Sequence, residues 1–98
     1  MSDFRELVAS KKLVLIDFFA EWCAPCKTLA PILKDIANEL GNEVRIIKID
    51  IDKNPVLAKK LQIRSVPTLI IYKEENLLWR QSGLISKSQL LKILRAFK

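Results

Sequence analysis

Cys23 and Cys26 are the only cysteines in 98 residues, and two residues separate them. Thiols at this spacing can close a small disulfide or open to a dithiol. In a CxxC pair the first thiol can be made unusually acidic. A helical apolar repeat begins at this point, so Cys23 is expected at a helix N-terminus. Free N–H groups and the helix dipole stabilise a thiolate there, and Lys27 adds a positive charge nearby. Cys26 lies about one turn further in and is expected to be the less exposed thiol. On this reading Cys23 attacks and Cys26 resolves the mixed disulfide.

Two other readings of the pair stay open. A CxxC is often half of a zinc site, but such a site needs four ligands. The chain has no His and no further Cys, so an all-thiol site needs two chains and no metal is expected. The pair could also be inert core cysteines, against which the strand-to-helix context and the intervening Pro25 argue. The missing histidines also exclude a Ser-His-Asp triad, a Cys-His protease pair and an imidazole switch. With Gly41 and Gly83 as the only glycines, neither a GxGxxG turn nor a P-loop is present.

Asp17 is the next residue that could do chemistry. It interrupts the apolar run Leu13-Val14-Leu15-Ile16-Asp17-Phe18-Phe19. Apolar neighbours on both sides predict that it is buried, and burial raises a carboxyl pKa. A carboxyl with a raised pKa can take a proton from a resolving thiol and return it.

The elements that must position these groups follow each other closely. Residues 3–10 read as a short helix, with Asp3 three residues before Glu6. Residues 13–19 read as a strand covered on both faces. Leu29, Ile32, Leu33, Ile36, Ala37 and Leu40 form a helical stripe that Gly41 ends as a C-cap. Pro31 inside that helix is expected to kink it. Val44 to Ile49 is a second strand, parallel to the first through a right-handed crossover. Asn54-Pro55 opens a helix over 55–61 as N-cap and first residue. Residues 68–73 and 77–81 pair as a hairpin. Ser86-Lys87-Ser88-Gln89 is a capping-box pattern for the last helix, whose stripe is Leu90, Leu91, Ile93, Leu94 and Phe97. The length predicts one domain, residues 1–98.

The net charge is +6, which raises nucleic acid as a partner. The basic residues are scattered or occur only as pairs such as Lys11-Lys12 and Lys59-Lys60, without interleaved aromatics. A cationic soluble surface is the simpler reading, and no nucleic acid is expected. No apolar stretch approaches membrane-spanning length and no signal-peptide pattern opens the chain. A cytoplasmic location is therefore expected, with no membrane association.

The run Asp17-Phe18-Phe19-Ala20-Glu21-Trp22-Cys23-Ala24-Pro25-Cys26-Lys27, followed by Ala30-Pro31-Ile32-Leu33, closely resembles the active-site stretch of the thioredoxin family. Ile63-Arg64-Ser65-Val66-Pro67-Thr68-Leu69 resembles that family's second motif. The resemblance implies an α/β thioredoxin fold, a central mixed sheet of about four strands flanked by helices. It implies a general protein disulfide reductase, with Cys23 as nucleophile, Cys26 as resolving thiol and Asp17 as the buried proton acceptor and donor. Lys48 matches the family lysine near that acid. Pro67 matches a cis-proline that presents the Val66 backbone to an extended substrate segment. Trp22, Ala24, Pro25, Ile51, Ser65, Gly83 and Leu84 match the substrate groove. The family also implies no bound cofactor, disulfide-containing protein substrates, and reducing equivalents from NADPH through a thioredoxin reductase.

The chain departs from the family pattern in four places. Ala24 and Ser65 stand where Gly is frequent, and Phe19 where many members have Trp. The family's usual N-terminal first strand is missing, which predicts the strand order 44–49, 13–19, 68–73, 77–81. The strand at 44–49 is then an open edge, and a monomer is expected with edge-strand dimerisation as an alternative. An oxidase or isomerase on the same fold, and a binding module with incidental thiols, remain as competing functions.

Overall fold

A computed structural model describes residues 2–98. Strand β1 is Leu13–Phe19. Its apolar run is buried because the strand is central and covered on both faces. The two-residue period of a strand sorts its side chains. Leu13 and Leu15 point to one face, and Val14, Ile16 and Phe18 to the other. Asp17 shares the parity of Leu13 and Leu15.

The first face is covered by α2, Ala24–Leu40, and α4, Lys87–Ala96. Leu29, Leu33 and Ile36 of α2 meet Leu90 and Leu94 of α4 in this layer. The second face is covered by α1, Ser2–Val8, and α3, Pro55–Lys60. Val8 and Leu57 pack there against Val14, Ile16 and Phe18. Ala37, read as part of the buried stripe of α2, is exposed instead. It lies on the flank of the helix, toward the sheet edge. The last turn of α2 closes on Gly41 at φ +55°, whose N–H donates to the Ala37 carbonyl. That left-handed φ favours the glycine found there.

Strand β2 is Val44–Asp50, β3 is Thr68–Lys73 and β4 is Asn76–Ser82. The sheet order is β2-β1-β3-β4, as the sequence predicts. β1 is parallel to β2 and antiparallel to β3, and β4 is antiparallel to β3. α2 is the crossover that joins β1 to β2. The Ser86 side chain accepts the Gln89 N–H at the start of α4, in line with the capping pattern. Asn54 departs from its expected role. Its side chain makes no cap bond to α3 and donates instead to the Asp50 carbonyl at 3.0 Å.

The β3–β4 turn has an unusual backbone. Glu74 and Glu75 adopt φ +51° and +69°, where a residue with a Cβ is strained. The turn is also docked: their N–H groups donate to the carbonyls of Ser10 and Val8. Replacing Glu74 with Asn and Glu75 with Gly is expected to stabilise the protein by about 1 kcal/mol. The Arg5–Glu75 ion pair lost with Glu75 spans 3.7 Å between exposed groups and contributes little. A denaturant midpoint that falls in this variant contradicts the expectation.

Candidate functional site

The site is built where β1 runs into α2. The Cys23 N–H donates to the Ala20 carbonyl at 3.2 Å, turning the chain out of the strand. Cys23 is then the N-cap of α2, and its Sγ accepts the Cys26 N–H at 3.1 Å. This satisfies one of the free donors of the first helical turn with sulfur in place of the usual oxygen. Ala24 and Pro25 occupy the next two positions, and Pro25 has no donor to leave unpaired. Cys23 and Cys26 are joined as a disulfide, with Cα atoms 5.3 Å apart.

The expected difference in exposure between the two cysteines is absent. Cys23 is 3% exposed and Cys26 is 5% exposed. The reason lies far along the chain. Cys23 Sγ is 3.6 Å from the Val66 carbonyl oxygen, and Val66, Ile51 and Phe19 pack around Ala20 and the two cysteines. The N-cap position, not exposure, is what distinguishes Cys23.

The Val66–Pro67 peptide bond is cis, as the family match implies, and Pro67 is buried. The loop is pinned from the sheet. Thr68, fully buried, donates its hydroxyl to the Ser65 carbonyl at 2.7 Å. Having one proton, Thr68 accepts from the Ser82 hydroxyl 2.9 Å away. The Gly83 N–H donates to the Pro67 carbonyl at 2.8 Å. Gly83 adopts φ +94°, which requires glycine at the bend carrying exposed Leu84. Thr68 and Ser82 were not singled out by sequence, since only the β3–β4 register brings them together.

Trp22 stands on the rim, 69% exposed. Its indole N–H donates to the Asp52 carboxylate at 2.8 Å. Asp52 is held in turn, since its N–H donates to the Asp50 carboxylate at 2.8 Å. Asp52 also escaped the sequence reading, being an ordinary loop acid thirty residues away. Ile51 is half-buried and its N–H donates to the Phe19 carbonyl at 2.9 Å. Thus these residues come from four segments: Trp22, Ala24 and Pro25 where β1 enters α2, Ile51 after β2, Ser65 and Val66 before β3, and Gly83 and Leu84 after β4. Backbone bonds tie the first to the second and the third to the fourth.

Asp17 is fully buried, as its apolar flanks predict, and neither carboxyl oxygen is hydrogen-bonded to a protein group. Burial pushes its pKa up from 3.8 to about 6, and the charge of Lys48 opposes part of that rise. Lys48 is its register neighbour on β2 and lies 5.1 Å from the Phe19 ring centre. Lys48 also lines a cavity of about 340 Å³ together with Phe19, Ala20, Ala30 and Cys26. The structure therefore brings Lys48 both to Asp17 and to the space beside Cys26. Among the described residues, no group of three or more His, Cys, Asp or Glu is placed to hold a metal ion. No described helix is long and apolar enough to cross a membrane.

Comparison with known proteins places these features in one setting. A family model described as Thioredoxin matches residues 1–96. The chain is 48% identical over 91 residues to a thioredoxin of Buchnera aphidicola subsp. Baizongia pistaciae, covering 93% of this chain and 84% of that protein. It is 41% identical over 93 residues to a bifunctional thioredoxin reductase/thioredoxin of Mycobacterium leprae, covering 95% of this chain and 20% of that one. The oxidised form of mitochondrial thioredoxin 3 from Saccharomyces cerevisiae superposes with a TM-score of 0.87 at 30% identity, over 97% of this chain and 88% of that one.

Proposed function

Because the chain belongs to the thioredoxin family, whose members are thiol–disulfide oxidoreductases, we propose that it is a general protein disulfide reductase acting through Cys23, Cys26 and Asp17. The placement of Cys23 carries this reading. A sulfur that accepts a helix N-terminal N–H at 3.1 Å is favoured as a thiolate.

The Cys23 thiolate attacks one sulfur of a substrate disulfide. A Cys23–substrate bond forms as the substrate S–S bond breaks, and one substrate thiolate leaves. The Cys26 thiol then passes its proton to Asp17 and attacks the Cys23 sulfur. The Cys23–Cys26 disulfide forms and the second substrate sulfur leaves reduced. Two electrons move from the protein dithiol to the substrate. Lys48 supports the proton step by favouring the ionised carboxylate of Asp17, the form that accepts a proton.

Trp22, Ala24, Pro25, Ile51, Ser65, Val66, Pro67, Gly83 and Leu84 form the substrate groove in this reading. The Val66 backbone, beside the Cys23 sulfur, is where an extended substrate segment pairs in a short β-like contact. Residues 1–98 act as one domain, in the cytoplasm, without a bound cofactor. The oxidised protein is recycled by a thioredoxin reductase drawing on NADPH. The fused reductase in the Mycobacterium leprae relative supports that pairing.

The reduction potential of the Cys23–Cys26 pair tests the reading, by equilibration against glutathione and a dithiol buffer. The expected value lies near the reference for thioredoxin itself, about −270 mV. A value tens of millivolts more oxidising favours an oxidase or isomerase. Failure to form the disulfide at all favours a binding module.

A further inference from the structure

The β2 edge of the sheet carries a charge and apolar pattern of which the redox chemistry uses only Lys48. β2 is the terminal strand of the order β2-β1-β3-β4. Its central residues read Arg45-Ile46-Ile47-Lys48. Arg45 and Lys48 are exposed, while Ile46 and Ile47 are half-buried. Alternation places Ile46 and Lys48 on the α2 face and Arg45 and Ile47 on the opposite face. On the α2 face a groove of about 530 Å³ runs beside the edge, lined by Pro31, Lys34, Ala37, Ile46 and Lys48. Among the described residues, none of Lys34, Arg45 and Lys48 joins an ion pair.

We propose that the β2 edge is a docking site for an extended acidic segment of a partner protein, in which two apolar residues are flanked by carboxylates. Such a segment adds a fifth strand to the sheet by main-chain hydrogen bonds. Residues directly opposite on paired strands share a face. Two apolar side chains therefore meet Ile46 and Ile47, and the flanking carboxylates meet Arg45 and Lys48. Lys34 reinforces the site on the Lys48 face. The acid–apolar–apolar–acid order reads the same in both directions, so parallel and antiparallel pairing both satisfy it.

The same pattern works against a second copy as the occupant. A two-fold across this edge keeps each face of the sheet on its own side, so it pairs residues of equal parity, and Ile46 and Ile47 lie on opposite faces. Setting Ile46 opposite its copy places Arg45 against Ile47, and setting Ile47 opposite its copy places Lys48 against Ile46. Either register matches only one isoleucine and leaves the cations without a carboxylate partner in the centre of the strand. Each chain also carries a net charge of +6. Cations that protect an open edge from self-pairing thus select an acidic strand.

The test is an NMR titration of the oxidised, ¹⁵N-labelled protein with a synthetic peptide containing Glu-Val-Ile-Glu between Gly and Ser flanks. The expected result is saturable shifts concentrated at residues 44–50, with a Kd at or below about 1 mM. A peptide with Lys replacing both Glu is expected to bind at least tenfold more weakly. The double variant Lys34→Glu, Arg45→Glu is expected to reverse that preference while keeping disulfide-reduction turnover. The comparison of the two peptides on the unaltered protein stands even if the variant misfolds. Absence of saturable shifts, shifts centred on Trp22, Val66 and Leu84, or equal binding of the two peptides overturns the proposal. So does sedimentation of the protein alone as a β2-mediated dimer. The peptide titrations and the sedimentation do not depend on the reductase reading, so failure of one leaves the other standing.

Discussion

Cys26→Ser is expected to freeze the reaction at the mixed disulfide. The Cys26 group that supports the Cys23 sulfur is its backbone N–H, donated at 3.1 Å, and serine keeps it. Attack by Cys23 on a substrate disulfide therefore proceeds. The serine hydroxyl cannot expel the substrate, so the adduct on Cys23 persists. Turnover is expected to fall by at least about 10³-fold, as when one member of a concerted catalytic unit is lost. Cys23→Ser is expected to lose as much turnover without any adduct. Intact mass under non-reducing conditions separates the two, with the substrate half retained on Cys26→Ser alone. Both cysteines are buried, so the order of attack is not readable from accessibility. A stable adduct on Cys23→Ser and none on Cys26→Ser overturns the assignment.

What could be read in the sequence follows from what is local. The apolar run at 13–19 is a central strand, and its two-residue period alone puts Asp17 among the side chains facing α2. The spacing of Cys23 and Cys26 relative to the following apolar repeat places Cys23 at the helix start. The capping pattern at Ser86 and the C-cap at Gly41 hold for the same reason, since each depends on a few neighbouring residues. Asn54 shows the limit of such signals. A tertiary alternative, the Asp50 carbonyl, takes its side chain.

The remainder of the site depends on residues far apart in the chain. The covering of Cys23 comes from Val66, 43 positions away. The tether of Trp22 comes from Asp52, and the loop before β3 is pinned by Ser82 through Thr68. The segment between α3 and that loop is held by Arg80, whose guanidinium donates to the Leu61 and Gln62 carbonyls at 2.6 and 2.8 Å. None of these residues is unusual in its own stretch of sequence. Each acquires a role only once the strand register places it, and the family match names some of them without supplying the contacts.

Asp17→Asn is expected to change both the stability of the protein and the pH profile of the resolving step. The Asp17 pKa rises from 3.8 to about 6 on burial. Between those values the folded protein holds a proton that the unfolded chain has released. Stability from this group is therefore fully present below about 3.8 and is lost as the pH rises through about 6. The gap corresponds to about 3 kcal/mol once the carboxylate is ionised. An amide at the same position does not titrate. The variant is expected to gain about 2 kcal/mol relative to the wild type between pH 4 and pH 8, the rest of the gap being already lost at pH 4, whatever offset the two show there. In catalysis the sign is opposite. Above about pH 6 the wild-type carboxylate can accept the Cys26 proton, and the amide cannot. Resolution of a preformed mixed disulfide at pH 7 is expected to slow by about 10²-fold, the lower end for a lost general base. The inflection near pH 6 is expected to vanish with it. Urea melts across the pH range and stopped-flow resolution rates check the two halves separately. A variant with wild-type rates and an unchanged inflection removes Asp17 from the proton path, and a pH-independent stability difference removes it as the buried titrating group.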